Sequence, residues 1–243
     1  MIHFAVDEDR SPLLSHYLQR EWGRPLEGRI RQTTYTELFR SRSLPRGAWI
    51  FTSLDALSDP ELQLVEHIQT AARDAGLPVF NPAREALHRF QLLQLLHQRG
   101  ENDFRAHRAD GPLNNIRFPV FVRETNQHDG SLTPLLHDRA ALRRAMAYLW
   151  LRGIPRSELL VVEFCDTASA EGLYRKYSVF RIGDIYVPRY LEVGRHWMTK
   201  SHTSDVADSL IDEEMTYLRD NPHAAWVREV FELSRIEYGR IDY

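Results

Sequence analysis

Apolar residues along the chain fall into two repeating patterns. Short unbroken runs at Ile2–Val6, Ala48–Thr52, Pro78–Phe80, Phe118–Arg123 and Leu159–Val162 read as strands. Between them, apolar residues recur every three or four positions, as on one face of a helix. Leu13, Leu14, Tyr17 and Leu18 predict a first helix, with Asp7, Glu8 and Asp9 ahead of it as favourable charges for a helix N-terminus. Asp59-Pro60-Glu61 opens a second helix through Leu62, Val65, Ile68, Ala71 and Ala72, and Gly76 ends it. Strand and helix alternating over 1–81 predict a small parallel sheet. A helix is expected from Pro82 to about Gln98, and no period is visible over 100–115. Asp138–Leu151 predicts a helix stopped by Gly153-Ile154-Pro155.

Tyr177–Ile182 and Ile185–Leu191 are β-rich, and only Gly183-Asp184 separates them, the signature of a tight hairpin. A two-residue loop pairs Ile182 with Ile185 and Phe180 with Val187. Alternation then puts Phe180, Ile182, Ile185 and Val187 on one face, with Lys176 and Arg189 diagonal at its far end. Such a face is either the half-buried side of a sheet or a flat shelf for a ring with cations aimed at phosphates. Beyond it, Ser204 or Asp205 is expected to cap a helix, His223–Ile236 a second one ended by Gly239, and Arg240–Tyr243 the start of a strand.

Charge changes this picture by exclusion. The net charge of -3 lacks the basic footprint of a general nucleic-acid binder. One cysteine, Cys165, allows no internal disulfide. Without a signal-like N-terminus or a long apolar span, the expectation is a cytoplasmic protein without membrane or nucleic-acid partners. The only lysines are Lys176 and Lys200 among 31 basic residues, so lysine is not the default cation here. No G-x-S-x-G, H-E-x-x-H or P-loop sequence is present, and Cys165 has no histidine near it in sequence to activate it.

The order strand, polar glycine-containing loop, helix, strand ending in a carboxylate, then cation-bearing hairpin resembles the ATP-grasp superfamily from Phe80 to Tyr243. The resemblance implies an α/β fold with two α+β lobes, 82–164 and 165–243, sandwiching a nucleotide. A small Rossmann-like parallel-sheet domain, 1–81, precedes them. It implies ATP and Mg²⁺ as cofactors, and transfer of the γ-phosphoryl group to an unspecified carboxylate before attack by an amine or related nucleophile. Carried over by position, Arg89 and Arg123 are the basic residues that reach phosphates, where lysine is more usual. His128, Gly130 and Ser131 belong to the loop that folds over them. Glu163, Phe164, Cys165 and Asp166 match the linker along the adenine edge, with a carboxylate for the ribose. Lys176 matches a phosphate-binding cation, and Arg189 meets the transferred phosphate or acyl intermediate. His196–Lys200 lies where such enzymes close the site, and Lys200 is a secondary candidate. Asp242 matches the first Mg²⁺-ligating carboxylate.

In the family a further strand supplies Glu and Asn to the metal, and the sequence stops before it, at Tyr243. The expectation is a ligase sequence cut short; the alternatives are a nucleotide-binding or regulatory module without turnover and a plain α/β interaction protein. Taken singly, each candidate residue is compatible with an ordinary solvated side chain, so the order of elements carries the reading.

Overall fold

A computed structural model describes residues 1–8, 11–127, 130–199 and 208–243. The chain forms two compact units. The first comprises residues 1–86, 179–187 and 222–241; the second comprises 87–178, 188–221 and 242–243.

In the first unit, strands β1 (Ile2–Val6), β2 (Ile30–Thr34), β3 (Ala48–Phe51) and β4 (Val79–Phe80) form a parallel sheet in the order β2-β1-β3-β4. Helices α1 (Ser11–Gln19), α2 (Tyr35–Arg40) and α3 (Asp59–Asp74) connect them. The core gathers Ala5, Trp49 and Phe51 from the central strands with Tyr35, Leu38 and Val65 from the helices. The parallel sheet read from the sequence is present, but β2 and α2 were not anticipated. β2 is Ile-Arg-Gln-Thr-Thr at the sheet edge, where no buried residue marks a period. Glu8 does serve a helix N-terminus, though that of α2: its carboxylate accepts the Thr36 backbone N–H at 3.0 Å. Asp9 lies outside the described residues.

The helix expected from Pro82 begins only at Arg89, as α4 (Arg89–Gln98), because His88 and Gln91 form its capping box. Asn81 explains the delay. Its backbone is left-handed, with φ 63°, and its side chain is buried. The amide donates to the carbonyls of Phe51 at 2.9 Å and Tyr238 at 2.8 Å. Its Oδ1 accepts the backbone N–H groups of Glu237 and Tyr238, both at 2.9 Å. Gln69 in turn donates to the Asn81 carbonyl and accepts the Ala83 N–H. One residue thus ties the end of β4 to residues far along the chain and satisfies its full donor and acceptor set.

In the second unit, β5 (Ala106–Arg108), β7 (Leu159–Glu163) and β6 (Val120–Glu124) form an antiparallel sheet with β7 in the centre. All five β7 residues are buried. One face packs Leu159 and Val161 against Leu142, Met146 and Leu149 of α5 (Arg139–Leu151). The other packs Leu160 and Val162 against Phe90 and Leu93 of α4. A strand covered on both faces reads as an unbroken apolar run, which is why it was visible in the sequence. β5 was not, because it is three residues long within a polar stretch.

The hairpin strands are β8 (Tyr174–Ile182) and β9 (Ile185–Gly194), turning at Gly183 with φ 60°. With β10 (Tyr238–Asp242) they form the order β10-β8-β9. Tyr177 and Tyr243 exchange backbone hydrogen bonds at 2.8 and 3.0 Å. The face expected to be apolar leaves Ile182, Ile185 and Val187 exposed at the hairpin tip. The last helices are α6 (Asp208–Asp220) and α7 (Ala224–Ser234); the cap expected at Ser204 or Asp205 lies outside the described residues. Gly239 does not end α7. It lies within β10, where an added Cβ would stand 2.7 Å from Ile236 Cγ2.

Asn81→Ala removes both amide donors and the acceptor while leaving the left-handed backbone. It is expected to cost about 3–5 kcal/mol, read as a lower urea midpoint. A loss under about 1 kcal/mol would show that water replaces these bonds.

Candidate functional site

The second unit holds every sequence-predicted site residue. Arg89, at the start of α4, and Arg123, in β6, converge on one loop. The Arg89 guanidinium donates to the carbonyls of Glu124, Thr125 and Gln127. The Arg123 guanidinium donates to the same Gln127 carbonyl at 3.2 Å. Arg123 Nε is buried and has no hydrogen-bond partner among the described residues. Burial, and then the neighbouring Arg89 charge, lower the Arg123 pKa to about 10, so it remains a cation at neutral pH. A buried donor without an acceptor costs free energy that a bound anion offsets.

The loop after β6 is anchored on its return side. Ser131 Oγ donates its proton to the Thr133 carbonyl at 2.6 Å, with the Val122 carbonyl 3.1 Å away as the alternative acceptor. Its hydroxyl therefore shapes the loop base. Gly130 sits at φ 97°, a backbone conformation suited to glycine. His128 lies outside the described residues.

The Glu163–Asp166 linker was expected to hold a carboxylate for a ribose. In the structure the Glu163 carboxylate is engaged by protein groups. It is 2% exposed and accepts from Arg105 Nε at 3.0 Å, Arg105 Nη2 at 2.7 Å and the backbone N–H of Arg117 at 2.9 Å. The Arg105 backbone N–H and the His107 ring complete the set at 3.2 Å each. Burial alone would raise its pKa, but the bonds from Arg105, Arg117 and His107 outweigh that and hold it at about 2. Its role here is to fasten β7 to β5 and to the segment entering β6. Nothing in the local sequence announces these partners, which lie 46 to 58 residues away.

The residues after Glu163 form an aromatic wall. Phe164 meets Trp197 edge-on with ring centroids 5.8 Å apart, and Phe121 of β6 lies 5.0 Å from the same indole. Cys165 is a free, partly buried thiol. Asp166 accepts from the Tyr174 hydroxyl at 3.0 Å and the Ala168 N–H at 3.1 Å. Trp197 was not among the candidates, although its segment was expected to close a site. That segment also reaches Lys176, whose ammonium donates to the Thr199 carbonyl at 3.2 Å. Lys200 lies outside the described residues.

Lys176 and Arg189 do come together, around Tyr190. Their charged groups lie 5.4 and 5.0 Å from its ring centroid. Lys176 also forms an ion pair with Glu192, a partner that strict alternation along the hairpin did not suggest. Asp242 accepts from the Ser178 hydroxyl at 2.8 Å and from Tyr190 at 3.4 Å. Lys176, Arg189 and Asp242, spread over 67 positions of sequence, thus share the surroundings of one tyrosine. Among the described residues, no three His, Cys, Asp or Glu side chains gather as a metal site, and no helix is long and apolar enough to cross a membrane.

No protein-family model matches the chain, and no curated protein matches it in sequence. Solved structures do match. D-alanine–D-alanine ligase from Bacillus anthracis, complexed with ATP, aligns over 99% of this chain and 79% of its own, with 10% identity and a TM-score of 0.52. Carboxyaminoimidazole ribonucleotide synthase from Aspergillus clavatus, also with ATP, aligns over 99% and 64%, with 8% identity and a TM-score of 0.56. A RimK domain ATP-grasp protein from Sphaerobacter thermophilus aligns over 99% and 84%, with 16% identity and a TM-score of 0.51.

The Glu163 assembly is expected to show in acid. Its folded pKa lies below the ordinary 4.5, so its stabilisation is complete above that pH and fades as pH falls towards 2. The span corresponds to about 3 kcal/mol. Thermal unfolding between pH 7 and 2 should show this loss in the native chain. Glu163→Gln should start less stable at pH 7 and vary less below pH 4.5. Equal acid sensitivity in both chains would count against the assignment.

Proposed function

We propose that this chain, whose fold is that of the ATP-grasp proteins, binds ATP in its second unit as the nucleotide-binding body of an ATP-dependent ligase. The single observation that carries the reading is the Arg89–Arg123 pair with its buried, unsatisfied Nε. A polyphosphate supplies an acceptor for the Arg123 Nε and negative charge beside a cation partly withdrawn from water. Because the site is partly withdrawn from water, the charges there act through a lower dielectric than at an open surface.

Phe121, Phe164 and Trp197 offer an apolar wall for a base, and Thr199 links that wall to Lys176. Lys176 and Arg189 are the second cationic group of the proposal. In the reaction inferred for such a site, a substrate carboxylate oxygen attacks the γ-phosphorus. The bond from that phosphorus to the β–γ bridging oxygen breaks, and ADP departs with the electron pair. Charge builds on the equatorial and leaving oxygens, where fixed guanidinium and ammonium donors act most strongly. An amine or related nucleophile then attacks the acyl carbon, and inorganic phosphate leaves.

Mg²⁺ ordinarily needs near-octahedral oxygen ligation. Asp242 offers one carboxylate, already accepting from Ser178 and Tyr190, so the described residues do not compose a Mg²⁺ site. That engagement favours a second reading, a nucleotide-binding module without turnover.

Titration calorimetry with ATP, with and without Mg²⁺, tests the binding claim. Arg123→Met keeps an apolar stem and removes the fork; Lys176→Ala removes the ammonium. Each is expected to weaken ATP binding by about 1–3 kcal/mol. Native chain that takes up no ATP at millimolar concentration would end the nucleotide reading. Unchanged affinity in both variants would remove the two cations from it. ADP release stimulated by a panel of carboxylates separates ligase from silent binder.

A further inference from the structure

The outer side of α5 has no part in the nucleotide reading. Its inner side is core, through Leu142, Met146 and Leu149. Its last turn nevertheless presents Tyr148, Trp150 and Leu151 at 58, 67 and 76% exposure. Three bulky groups so close together and open to water are unusual for a solvated surface and typical of a contact site. Of the three, Trp150 lines a concavity of about 640 Å³, formed where the helix ends at Gly153 and the chain doubles back through Ile154 and Pro155. Met146, Ala147 and Trp150 make one side of it and Arg156 its rim.

Charge says what kind of partner fits. Residues 139–157 carry Arg139, Arg143, Arg144, Arg152 and Arg156 and no aspartate or glutamate, in a chain whose net charge is -3. Arg139 is occupied by the carbonyls of Leu113 and Asn114, and Arg152 donates to the Tyr148 hydroxyl at 3.1 Å. Arg156 lines the apolar groove, and Arg143 and Arg144 are exposed on the preceding part of α5. An apolar concavity with Arg156 in its lining and further exposed arginines on the same helix is complementary to an apolar side chain flanked by carboxylates. A flat lipid surface would not fill a concavity. A nucleobase would need hydrogen-bonding groups in the floor, which here is Met146, Ala147, Ile154 and Pro155. Trp and Arg are also the residue types that dominate protein contact energetics.

We propose that this groove at the end of α5 docks an acidic segment of a partner protein through an apolar anchor residue. The proposal is independent of ATP binding.

Selection from a displayed library of random 12-residue peptides against the whole chain tests it. The enriched peptides are expected to carry Leu, Phe or Trp flanked by Asp and Glu. A synthetic copy of the best one should lose at least tenfold in affinity on Trp150→Ala and on Arg156→Glu. Both sites are exposed, and unchanged melting temperatures would show that the variants stay folded. Peptides without acidic character, no enrichment at all, or affinity untouched by both substitutions would overturn the proposal. So would Trp150-dependent binding that is tighter to oligo-dT or to phosphatidylserine vesicles than to the selected peptide.

Discussion

A buried carboxylate remains charged only if its surroundings replace the water it has lost. Glu163 meets that condition with donors from Arg105, His107 and Arg117, and the architecture of the second unit depends on it. Glu163 ends the central strand of a three-stranded sheet; its donors sit on β5 and on the chain entering β6. Once these are fixed, the register of β6 against β7 is fixed too, and Arg123 stands opposite Leu160. The next residue, Phe164, is then delivered to the aromatic wall. Two neighbouring features of the chain thus differ: the Glu163 carboxylate is enclosed by protein groups, and the residues after it are partly open to solvent.

Arg89 and Arg123 impose the opposite condition. Glu163 is a charge answered by protein; the Arg123 cation, beside Arg89, keeps a buried Nε with no acceptor among the described residues. Structures keep such a donor where a ligand supplies the acceptor. The family resemblance assigned phosphate roles to both residues, but nothing in the linear sequence indicated that they share the Gln127 carbonyl or that one Nε is left without an acceptor.

Legibility in the sequence followed burial. Strands covered on both faces, such as β7, and helices with a wide apolar stripe, such as α3 and α5, declared themselves through periodicity. Elements held by particular long-range bonds did not. β2 is a polar edge strand, β5 is three residues pinned beside Glu163, and α4 starts late because Asn81 turns the chain into a left-handed conformation first. Within the candidate site, Lys176, Arg189 and Asp242 were legible as chemistry, while their common neighbour Tyr190 was not: a tyrosine on a β-strand is ordinary until two cations and a carboxylate are found around it. Trp197 was hidden for the same reason, since its partners Phe121 and Phe164 come from two other segments.

The central claim is that the half-buried Arg89–Arg123 pair is a phosphate site. A crystal structure of the chain with a non-hydrolysable ATP analogue tests it most directly. The account predicts a phosphate oxygen within hydrogen-bonding distance of Arg123 Nε, and the base against Phe164 and Trp197. An analogue bound elsewhere, with Arg123 Nε still without a partner, would contradict it.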